Sequence, residues 1–508
     1  MKKYFYFLLF SFCFLLIITC TTQPQSGNLS GTIHLENQED HSGIVVGVYE
    51  LATLDPDIAE ANTKWPHIGV IINQHTEFDH RFGTLIKTGE TDASGAFEIN
   101  DIPTGMYNIV VIKNGYGFRY IYEISISDGD NSITEKRKKE KVKSKKADND
   151  EDSSFNLLPL SFNLNKSRAD LILFPETIIS TDITEATTFE SYHHYIIEDD
   201  LDIYDELTIQ PGAVIRLNEG KEITSYGTFN AVGEYEDFIW FTKNDGFSEN
   251  LNTIEPDSNL IWDRVTLEPY SQAQVQWCKF DWANIALLNH VNGFEISDCI
   301  FRDSQCGFKS EDVDSCFCSN LLCNNTSNDS EAGIYFIQVT DGLIERNVIN
   351  NLNGGLRIKD ESNPEMKNNY ILCCNHGIDI SWNSSAYIYN NEIVRCEIGI
   401  FSNEHSLLPP IEKNIIQCRY GIKNGVHSEI FEMHYNNMNC TTFNIILDMY
   451  SGDIIANYNY YYTINETEIE NKIFDKNDVE PSQQQYYGRV NYIPFLTEEN
   501  PNAGIQIE

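Results

Sequence analysis

A repeat of 22 residues in the second half of the chain constrains the fold more than any other feature. Five glycines spaced 22 residues apart each open a short segment, and they are Gly333, Gly355, Gly377, Gly399 and Gly421. Fixed periods of this length are typical of solenoids, in which each repeat packs only on its neighbours. The repeat contains short strands without helical stretches between them. This pattern predicts a parallel β-helix rather than a leucine-rich horseshoe.

Two further columns follow the same period. The cysteine column consists of Cys374, Cys396, Cys418 and Cys440. The asparagine column consists of Asn347, Asn369 and Asn391, and it slips by one residue at Asn414. In a stack with turns about 4.8 Å apart, each such column forms a ladder of identical side chains. We expect the cysteines to point inward as small apolar groups and the asparagines to lie at a turn.

The period can also be carried beyond the five glycines. Gly307 precedes Gly333 by 26 residues, so one turn is longer by four. A step of 22 residues back from Gly307 reaches Ile285, and a step of 22 forward from Gly421 reaches Phe443. We expect both residues to occupy the glycine position of their turns.

The segment before the repeat alternates apolar and polar residues, with glycines at sharp corners. Its parts LTIQPGAVIRL, ITSYGTFNAVG and FIWFT resemble the opening turns of bacterial right-handed parallel β-helices of the pectin-lyase-like superfamily. The resemblance implies an all-β fold class, a right-handed parallel β-helix with 22-residue rungs that is preceded by a small β-sandwich. We expect the β-helix to span residues 195–500.

Residues 27–130 read as short strands with Asp- and Gly-rich turns, as an all-β sandwich requires. The run TGETDASGAFEINDIPTGMYNIVVIKNGY resembles the carboxypeptidase regulatory-like domain, a small transthyretin-like sandwich. The matching residues are Thr91, Asp92, Gly95 and Phe97, then Pro103, Gly105 and Tyr107, then Gly115 and Tyr116. The resemblance implies a spacer or interaction module without chemistry of its own. Residues 53–87 are longer than a plain sandwich needs and are interpreted as an elaborated loop.

The almost wholly charged segment that follows cannot form a core, so residues 131–160 are interpreted as a charged linker and 161–194 as a connecting segment.

The first 20 residues carry Lys2 and Lys3, an apolar run and then Cys20. This pattern resembles a bacterial lipoprotein signal peptide and implies lipidation of Cys20. Thr19 stands where Gly, Ala or Ser is usual, so an uncleaved membrane anchor stays open as an alternative. Thr21 instead of Asp resembles lipoproteins that are sorted to the outer membrane. In either case we expect an extracytoplasmic protein. The lipoprotein resemblance implies that it is attached to the membrane through its N-terminal lipid anchor, at the outer membrane or cell surface.

The chain carries 76 acidic and 35 basic residues, a formal net charge of -41. Such a field repels phosphate backbones and argues against nucleic acid as a partner. It fits a well-solvated protein or one that gathers cations, so calcium stays possible and the cofactor is otherwise unknown. The acidic run EDDLDIYDE offers Asp200, Asp202 and Asp205 but lacks the Gly and closing Glu of a calcium loop. We therefore assign no metal-binding residue.

Eleven cysteines remain once Cys13 and Cys20 are set aside, and all of them lie from position 278 onward. An extracytoplasmic protein with this many cysteines suggests disulfides. Parallel neighbours in a stack are about 4.8 Å apart, however, whereas bridged Cβ atoms prefer about 3.8 Å. Buried thiols are therefore favoured, and bridges within the clusters Cys316/Cys318/Cys323 and Cys373/Cys374 stay open.

Alternation along the strands also predicts a surface column. If the residue after each glycine points inward, the next residue points outward. This column contains Tyr335, Arg357, Asp379, Phe401 and Lys423, with Lys309 below it and Lys359 and Ser381 in the neighbouring column. We predict that these five residues bind a ligand such as an extended sugar chain. The alternative is an ordinary solvent-facing surface with pairing between strands.

Catalytic signatures such as G-x-S-x-G, H-E-x-x-H and the P-loop are absent from the sequence. Arg357-Ile358-Lys359 is similar to the R-I-K of polygalacturonase-like enzymes, but the accompanying N-T-D, D-D and G-H-G elements are missing. Catalytic residues are thus unknown, with Arg357, Lys359 and Asp379 as the candidates.

Two functions stay open, and whether the chain is an enzyme is undecided. One is a surface protein whose β-helix binds glycans or another extracellular partner without catalysis. The other is a polysaccharide lyase or glycoside hydrolase acting on an acidic polysaccharide. The sequence leaves the oligomeric state unknown.

Overall fold

A computed structural model describes residues 25–133, 171–251, 257, 259–326, 330–430 and 432–507. The chain forms two compact units. The first takes in the described parts of 1–52, 78–175 and 248–254, and the second those of 53–77, 176–247 and 255–508. The lipidation predicted at Cys20 and nearly all of the predicted linker 131–160 lie outside the described residues. No helix in the described ranges is long and apolar enough to cross a membrane.

The first unit contains two four-stranded sheets that share one hydrophobic core. Its strands are Ser26–Leu35, Val45–Glu50, Leu85–Glu90, Ala96–Pro103, Gly105–Ile112, Arg119–Ile126, Gly129–Ser132 and Leu171–Leu173. Ser26–Leu35 alternates half-buried and buried residues along its whole length, as expected for a strand with one face on a core. Leu29 and Ile33 from this strand pack in the same cluster as Val46 and Val48 from the other sheet. The small sandwich predicted ahead of the β-helix is confirmed.

The second unit is a right-handed parallel β-helix, as predicted. One long sheet contributes a single strand to each turn, and it has 12 strands within the described residues. We call it the flank sheet. Its strands are Thr177–Ile179, His194–Ile197, Val214–Leu217, Ile239–Lys243, Cys278–Asp281, Ile300–Arg302, Leu322–Asn324, Val348–Asn350, Tyr370–Leu372, Glu392–Val394, Ile415–Gln417 and Asn437–Met438.

The other strands of the turns form a parallel network of 21 strands, which we call the face sheet. They are Thr187–Phe189, Leu201–Ile203, Glu206–Ile209, Ile223–Ser225, Thr228–Val232, Trp262–Leu267, Gln272–Gln276, Ala283–Asn289, Phe294–Ser297, Cys306–Ser319, Ala332–Glu345, Gly354–Lys359, Glu365–Lys367, His376–Ile380, Tyr387–Tyr389, Ile398–Ser402, Ile411–Glu412, Tyr420–Asn424, Met433–His434, Phe443–Leu447 and Ile473–Phe474. Two strand pairs lie outside both sheets, Leu407–Leu408 with Glu429–Ile430 and Ile454–Ile455 with Val490–Asn491.

The glycine and cysteine columns explain each other in the structure. Cys396, Cys418 and Cys440 are buried, and each packs against a glycine. A Cβ atom added to Gly399 would lie 3.3 Å from the Cys418 Sγ and 2.7 Å from the Gly421 carbonyl oxygen. The glycine position of these turns therefore has no space for a side chain. Burial raises the pKa of Cys440 to about 11, so its thiol stays protonated and inert at neutral pH. All eleven described cysteines have free thiols.

This close packing gives a direct prediction. Gly399→Ala should lower the free energy of unfolding by about 1–3 kcal/mol, because the new methyl group overpacks a core bounded by backbone. The mid-point of urea unfolding measures the loss. Gly452→Ala is the control, since a Cβ atom there meets nothing within 4 Å. Equal stabilities of the two variants would contradict the packing argument.

The asparagine column forms a continuous buried ladder that runs further than the sequence analysis predicted. Its members are Asn347, Asn369, Asn391, Asn414, Asn436 and Asn459, all with 0% exposure. The Nδ2 of each donates to the Oδ1 of the next at 2.9–3.1 Å, for example from Asn369 to Asn391 at 2.9 Å. The residue before each asparagine has a positive φ, which turns the chain sharply between two strands.

The flank sheet is apolar on its outer side as well as inside, because another part of the second unit covers it. Helix α1 (Pro56–Lys64) begins at the N-cap Asp55, whose carboxylate accepts from the backbone N–H of Asp57 and Ile58. Ile58 and Ile68 are fully buried in the same cluster as Val348. Residues 53–77, interpreted from sequence as part of a sandwich loop, thus pack on the β-helix. They also contain the short helix α2 (Gln74–Glu77).

The last turns end in the short helix α3 (Glu466–Glu470) and two 3₁₀ turns, Lys476–Asp478 and Gln484–Tyr486. Asn465 caps α3 by accepting from the Thr467 backbone N–H.

The prediction that Ile285 and Phe443 occupy the glycine position of their turns is wrong. Ile285 pairs with Cys306 and Phe443 pairs with Tyr420, so each lies one residue away from the glycine position. Turns at the two ends of the regular region differ in length by one residue, and a strict step of 22 does not follow that change.

Candidate functional site

The predicted surface column exists as one continuous ladder on the face sheet. Tyr335 pairs with Arg357, Arg357 with Asp379, Asp379 with Phe401, and Phe401 with Lys423. Lys309 pairs with Tyr335 and extends the ladder by one strand. We call these six residues the site column. The residues that precede them, such as Leu356 and Ile378, have 0% exposure, so the predicted alternation between core and surface is correct.

Arg357 lies at the centre of the site column and contacts acidic groups on both sides. Its Nε is 3.3 Å from Asp379 Oδ2, and its Nη1 is 3.4 Å from Glu331 Oε1. His376 lies beside the pair, with Nδ1 3.9 Å from the same Asp379 oxygen. The ion pair between Arg357 and Asp379 joins two neighbouring turns. Asp379 is only 7% exposed, so the pair lies in the floor of the surface.

Aromatic rings flank this charged centre. Tyr335 carries three cations near its ring, with Lys309 Nζ 5.5 Å and both Arg357 Cζ and Lys359 Nζ 5.8 Å from the centroid. Such contacts are individually worth about 0.5–2 kcal/mol. Burial raises the pKa of the Tyr335 hydroxyl, so it is neutral and can donate a hydrogen bond.

Phe401 has a corresponding position on the other side of Asp379. Its ring is 5.1 Å from the His376 ring and 5.5 Å from Lys423 Nζ. Lys423 Nζ is also 3.2 Å from Asp448 Oδ2. Along the site column the order is therefore cation, ring, cation, carboxylate, ring and cation.

Several polar atoms in this region are buried without a hydrogen bond. Among the described residues, none accepts from or donates to Arg357 Nε, His376 Nδ1 or Ser381 Oγ. The contact of Arg357 Nε with Asp379 is an ion pair whose angle does not suit a hydrogen bond. Buried polar groups without partners each cost about 1–3 kcal/mol, and native structures contain few of them. Arg357 Nε and His376 Nδ1 lie on the same Asp379 oxygen, at 3.3 and 3.9 Å, so their unused hydrogen-bonding capacity is concentrated at one point of the site column.

Small buried residues lie beside the site column. Ala332 pairs with Gly354 and Gly354 with His376. A Cβ atom on Gly354 would lie 3.3 Å from Arg357 Nε, so the glycine allows the guanidinium to pack closely on its own strand.

The three catalytic candidates are grouped around two neighbours. Arg357 contacts Asp379, and Arg357 Cζ and Lys359 Nζ are both 5.8 Å from the centroid of the Tyr335 ring. Acid–base catalysis needs two groups whose surroundings push their proton affinities apart. Glu331 and Asp379 instead both pair with the Arg357 guanidinium, at 3.4 and 3.3 Å, so both carboxylates are already engaged in ion pairs. The geometry therefore fits binding better than proton transfer.

The acidic run considered for calcium does not gather into a cation site. Lys221 Nζ lies 3.8 Å from Asp200, and Asp202 accepts from the Tyr204 hydroxyl at 2.9 Å. In the described part of the chain, no group of three His, Cys, Asp or Glu side chains is arranged to hold a metal ion.

Sequence reasoning missed Glu331 and His376. His376 lies 22 residues after Gly354, so the period itself would have placed it beside the site column. Glu331 follows the four-residue insertion in its turn, and its position depends on how that longer loop folds.

Residues 284–432, or 149 of the 508, match the protein family described as "Right handed beta helix region". The match covers the turns that carry the site column. No curated protein and no solved structure matches the chain.

Proposed function

We propose that this chain is a non-catalytic surface protein that binds a glycan along the site column. The observation that carries this proposal is the pair of unsatisfied buried atoms Arg357 Nε and His376 Nδ1 at Asp379, with the Tyr335 ring beside Arg357 and the Phe401 ring beside His376. Sugars present both hydroxyl groups and apolar ring faces. A site with unused hydrogen-bonding capacity next to aromatic side chains suits both.

The repeating geometry favours a polymer over a small molecule. The members of the site column follow one another at the strand spacing of about 4.8 Å, so six of them extend over about 24 Å. A linear chain that lies along the β-helix axis would meet a cation or a ring at five of the six turns, and Asp379 at the other. Lys359 has no ion-pair partner among the described residues, so it is free to meet a carboxylate or sulfate on the glycan.

Secretion and lipid anchoring at Cys20 form part of the same proposal. They are supported by the basic start, apolar run and cysteine of residues 1–20. A glycan-binding β-helix has its ligand outside the cytoplasm, which agrees with such a leader.

A polysaccharide lyase or glycoside hydrolase is the second candidate. The contact between Arg357 and Asp379 favours it, because a lyase needs a base together with a group that neutralises a uronate. Against it stands the shared ion pairing of Glu331 and Asp379. We therefore place binding first.

Affinity electrophoresis of residues 21–508 in gels that contain polygalacturonate, alginate, dextran or xylan tests the proposal, with and without calcium. At least one polymer should retard the protein. The double variant Arg357→Ala/Asp379→Ala should weaken that binding about tenfold or more, which corresponds to about 1.4 kcal/mol. Removing both charges together leaves no unpaired buried ion, so the variant should stay folded.

Lys221→Ala is the matched control. It removes a half-buried cation that is 3.2 Å from Asp199, five strand steps or about 24 Å from Arg357 along the stack. Its retardation should equal that of the unaltered chain. No retardation on any polymer, or equal retardation of the double variant, would overturn the proposal. Release of unsaturated products or reducing ends from any polymer would favour the enzyme.

A further inference from the structure

A second polar cavity lies at the C-terminal end of the β-helix. It has a volume of about 500 Å³, within the range of about 300–1,000 Å³ that small-molecule sites occupy. Its lining residues are Asn439, Thr442, Asn444, Tyr461, Tyr462, Thr463, Glu468, Ile469, Asn471 and Lys472. All of them belong to the second unit. Neither the family match nor the site column includes this region.

The cavity is formed where the regular turns give way to the C-terminal cap. Asn444 lies in the strand Phe443–Leu447, one of the last strands of the face sheet. Helix α3 forms another wall through Glu468 and Ile469. Lys472 holds the cap to the last turns, since its Nζ donates to the Cys440 carbonyl oxygen at 2.6 Å. The wall is thus fixed by contacts that do not involve a ligand.

The chemistry of the lining fits a neutral, hydroxylated ligand. Amides and hydroxyl groups from asparagine and threonine supply both donors and acceptors. The two charged members are already engaged, because Glu468 accepts from the Thr463 hydroxyl at 2.6 Å and Lys472 donates to a carbonyl. An ionic ligand would have to displace these contacts, whereas a polyol would not.

Two further features suit a sugar in particular. The half-buried ring of Tyr462 provides an apolar wall, and its hydroxyl accepts from Gln417 at 3.3 Å. Asn444 is fully buried, and its Nδ2 has no acceptor among the described residues, although its Oδ1 accepts from the Cys440 backbone N–H at 3.0 Å. A donor without an acceptor in the lining of a polar cavity indicates a hydroxyl ligand or a water molecule there.

We infer that this cavity is a separate binding site for a neutral monosaccharide or for one uncharged sugar unit of a larger glycan. The inference does not depend on the site column, because the two share no residue.

Saturation-transfer NMR of residues 21–508 with D-glucose, D-galactose, D-mannose and N-acetyl-D-glucosamine at millimolar concentration tests the inference. At least one sugar should give a signal. Thr442→Phe should fill the cavity and weaken that sugar's binding about tenfold or more. Thr441→Phe is the control, since Thr441 is the exposed neighbour that does not line the cavity. Asn471→Phe fills the same cavity from α3 and serves if Thr442→Phe does not fold.

The double variant Arg357→Ala/Asp379→Ala should keep the monosaccharide signal, which separates this site from the site column. Absence of a signal from all four sugars would overturn the inference. A signal that persists in both cavity-filling variants would do the same.

Discussion

Asn391→Leu is expected to lower the free energy of unfolding by about 3–5 kcal/mol, a large part of the stability of an ordinary domain. Asn391 lies in the middle of the buried asparagine ladder. Its Oδ1 accepts from both the backbone N–H and the Nδ2 of Asn369, at 3.1 and 2.9 Å. Its own Nδ2 donates to the carbonyl of Met366 at 2.9 Å and to Asn414 Oδ1 at 3.1 Å.

The size of the effect follows from what leucine leaves behind. The buried backbone N–H of Asn369 loses its acceptor outright, and the Met366 carbonyl loses a donor. An unsatisfied buried group costs about 1–3 kcal/mol, and a branched side chain must also replace a planar amide between two others. The losses fall on adjacent turns, so they act on one cooperative region.

The position itself tolerates apolar residues where the neighbours are apolar too. The same turn position earlier in the stack holds Leu321 and Cys299, and the ladder ends where the Leu321 backbone N–H donates to Asn347 Oδ1 at 2.8 Å. The loss of stability in Asn391→Leu therefore comes from neighbouring groups in the ladder that lose their hydrogen-bond partners, and not only from the absence of the amide itself. Asn347→Leu removes only the end member of the ladder, so it should lower the free energy of unfolding by less than Asn391→Leu does.

Urea unfolding measures the change in the free energy of unfolding. Hydrogen exchange of the Asn369 backbone N–H measures the loss of local protection in the ladder. Asn363→Leu is the control, because its exposed Nδ2 bonds only to the carbonyl of Glu361 at 2.8 Å. We expect that control to stay within about 0.5 kcal/mol. Unchanged exchange at Asn369 in Asn391→Leu would show that the ladder contributes little.

The core of the β-helix could be predicted because a stack copies its sequence period directly into space. Residues 22 apart become neighbours at strand distance, so the spacing of Cys396 and Cys418 alone fixes their relation. Sequence reasoning also placed Arg357 and Asp379 together, since both occupy the same strand position one turn apart. It lost register where turn lengths change, as at Ile285 and Phe443.

Residues outside the regular 22-residue repeat could not be placed in this way. Glu331 reaches Arg357 from a turn with an insertion, and residues 53–77 cover a sheet that lies hundreds of residues away in sequence. One signal for the covered sheet was nevertheless present. Flank strand Tyr370–Leu372 reads Tyr-Ile-Leu, a continuous apolar run of the kind found in strands that are buried on both faces, and all three of its residues are buried. A lone β-helix with a solvated outer surface would alternate instead.

The covering segment leads to the second large prediction. Ile68→Asp should release residues 53–77 from the flank sheet, because it puts an unpaired carboxylate into an apolar cluster. Ile68 has 0% exposure and shares this cluster with Val348 and Leu322. The next residue, Gly69, donates its backbone N–H to the Arg346 carbonyl at 2.8 Å, so a backbone hydrogen bond to the β-helix lies directly beside Ile68.

The expected loss is at least that of deleting a buried isoleucine side chain, about 2–5 kcal/mol, with the cost of burying a charge in addition. Trypsin cleavage after Lys64 measures the release, since Lys64 lies in α1 and pairs with Glu392 while the segment is bound. Cleavage should become about tenfold faster or more in Ile68→Asp. His67→Asp adds the same charge at the exposed neighbouring position and should leave the rate unchanged. Equal protection of both variants would mean that the flank sheet does not hold the segment through this cluster, and its outer apolar residues would then need another explanation.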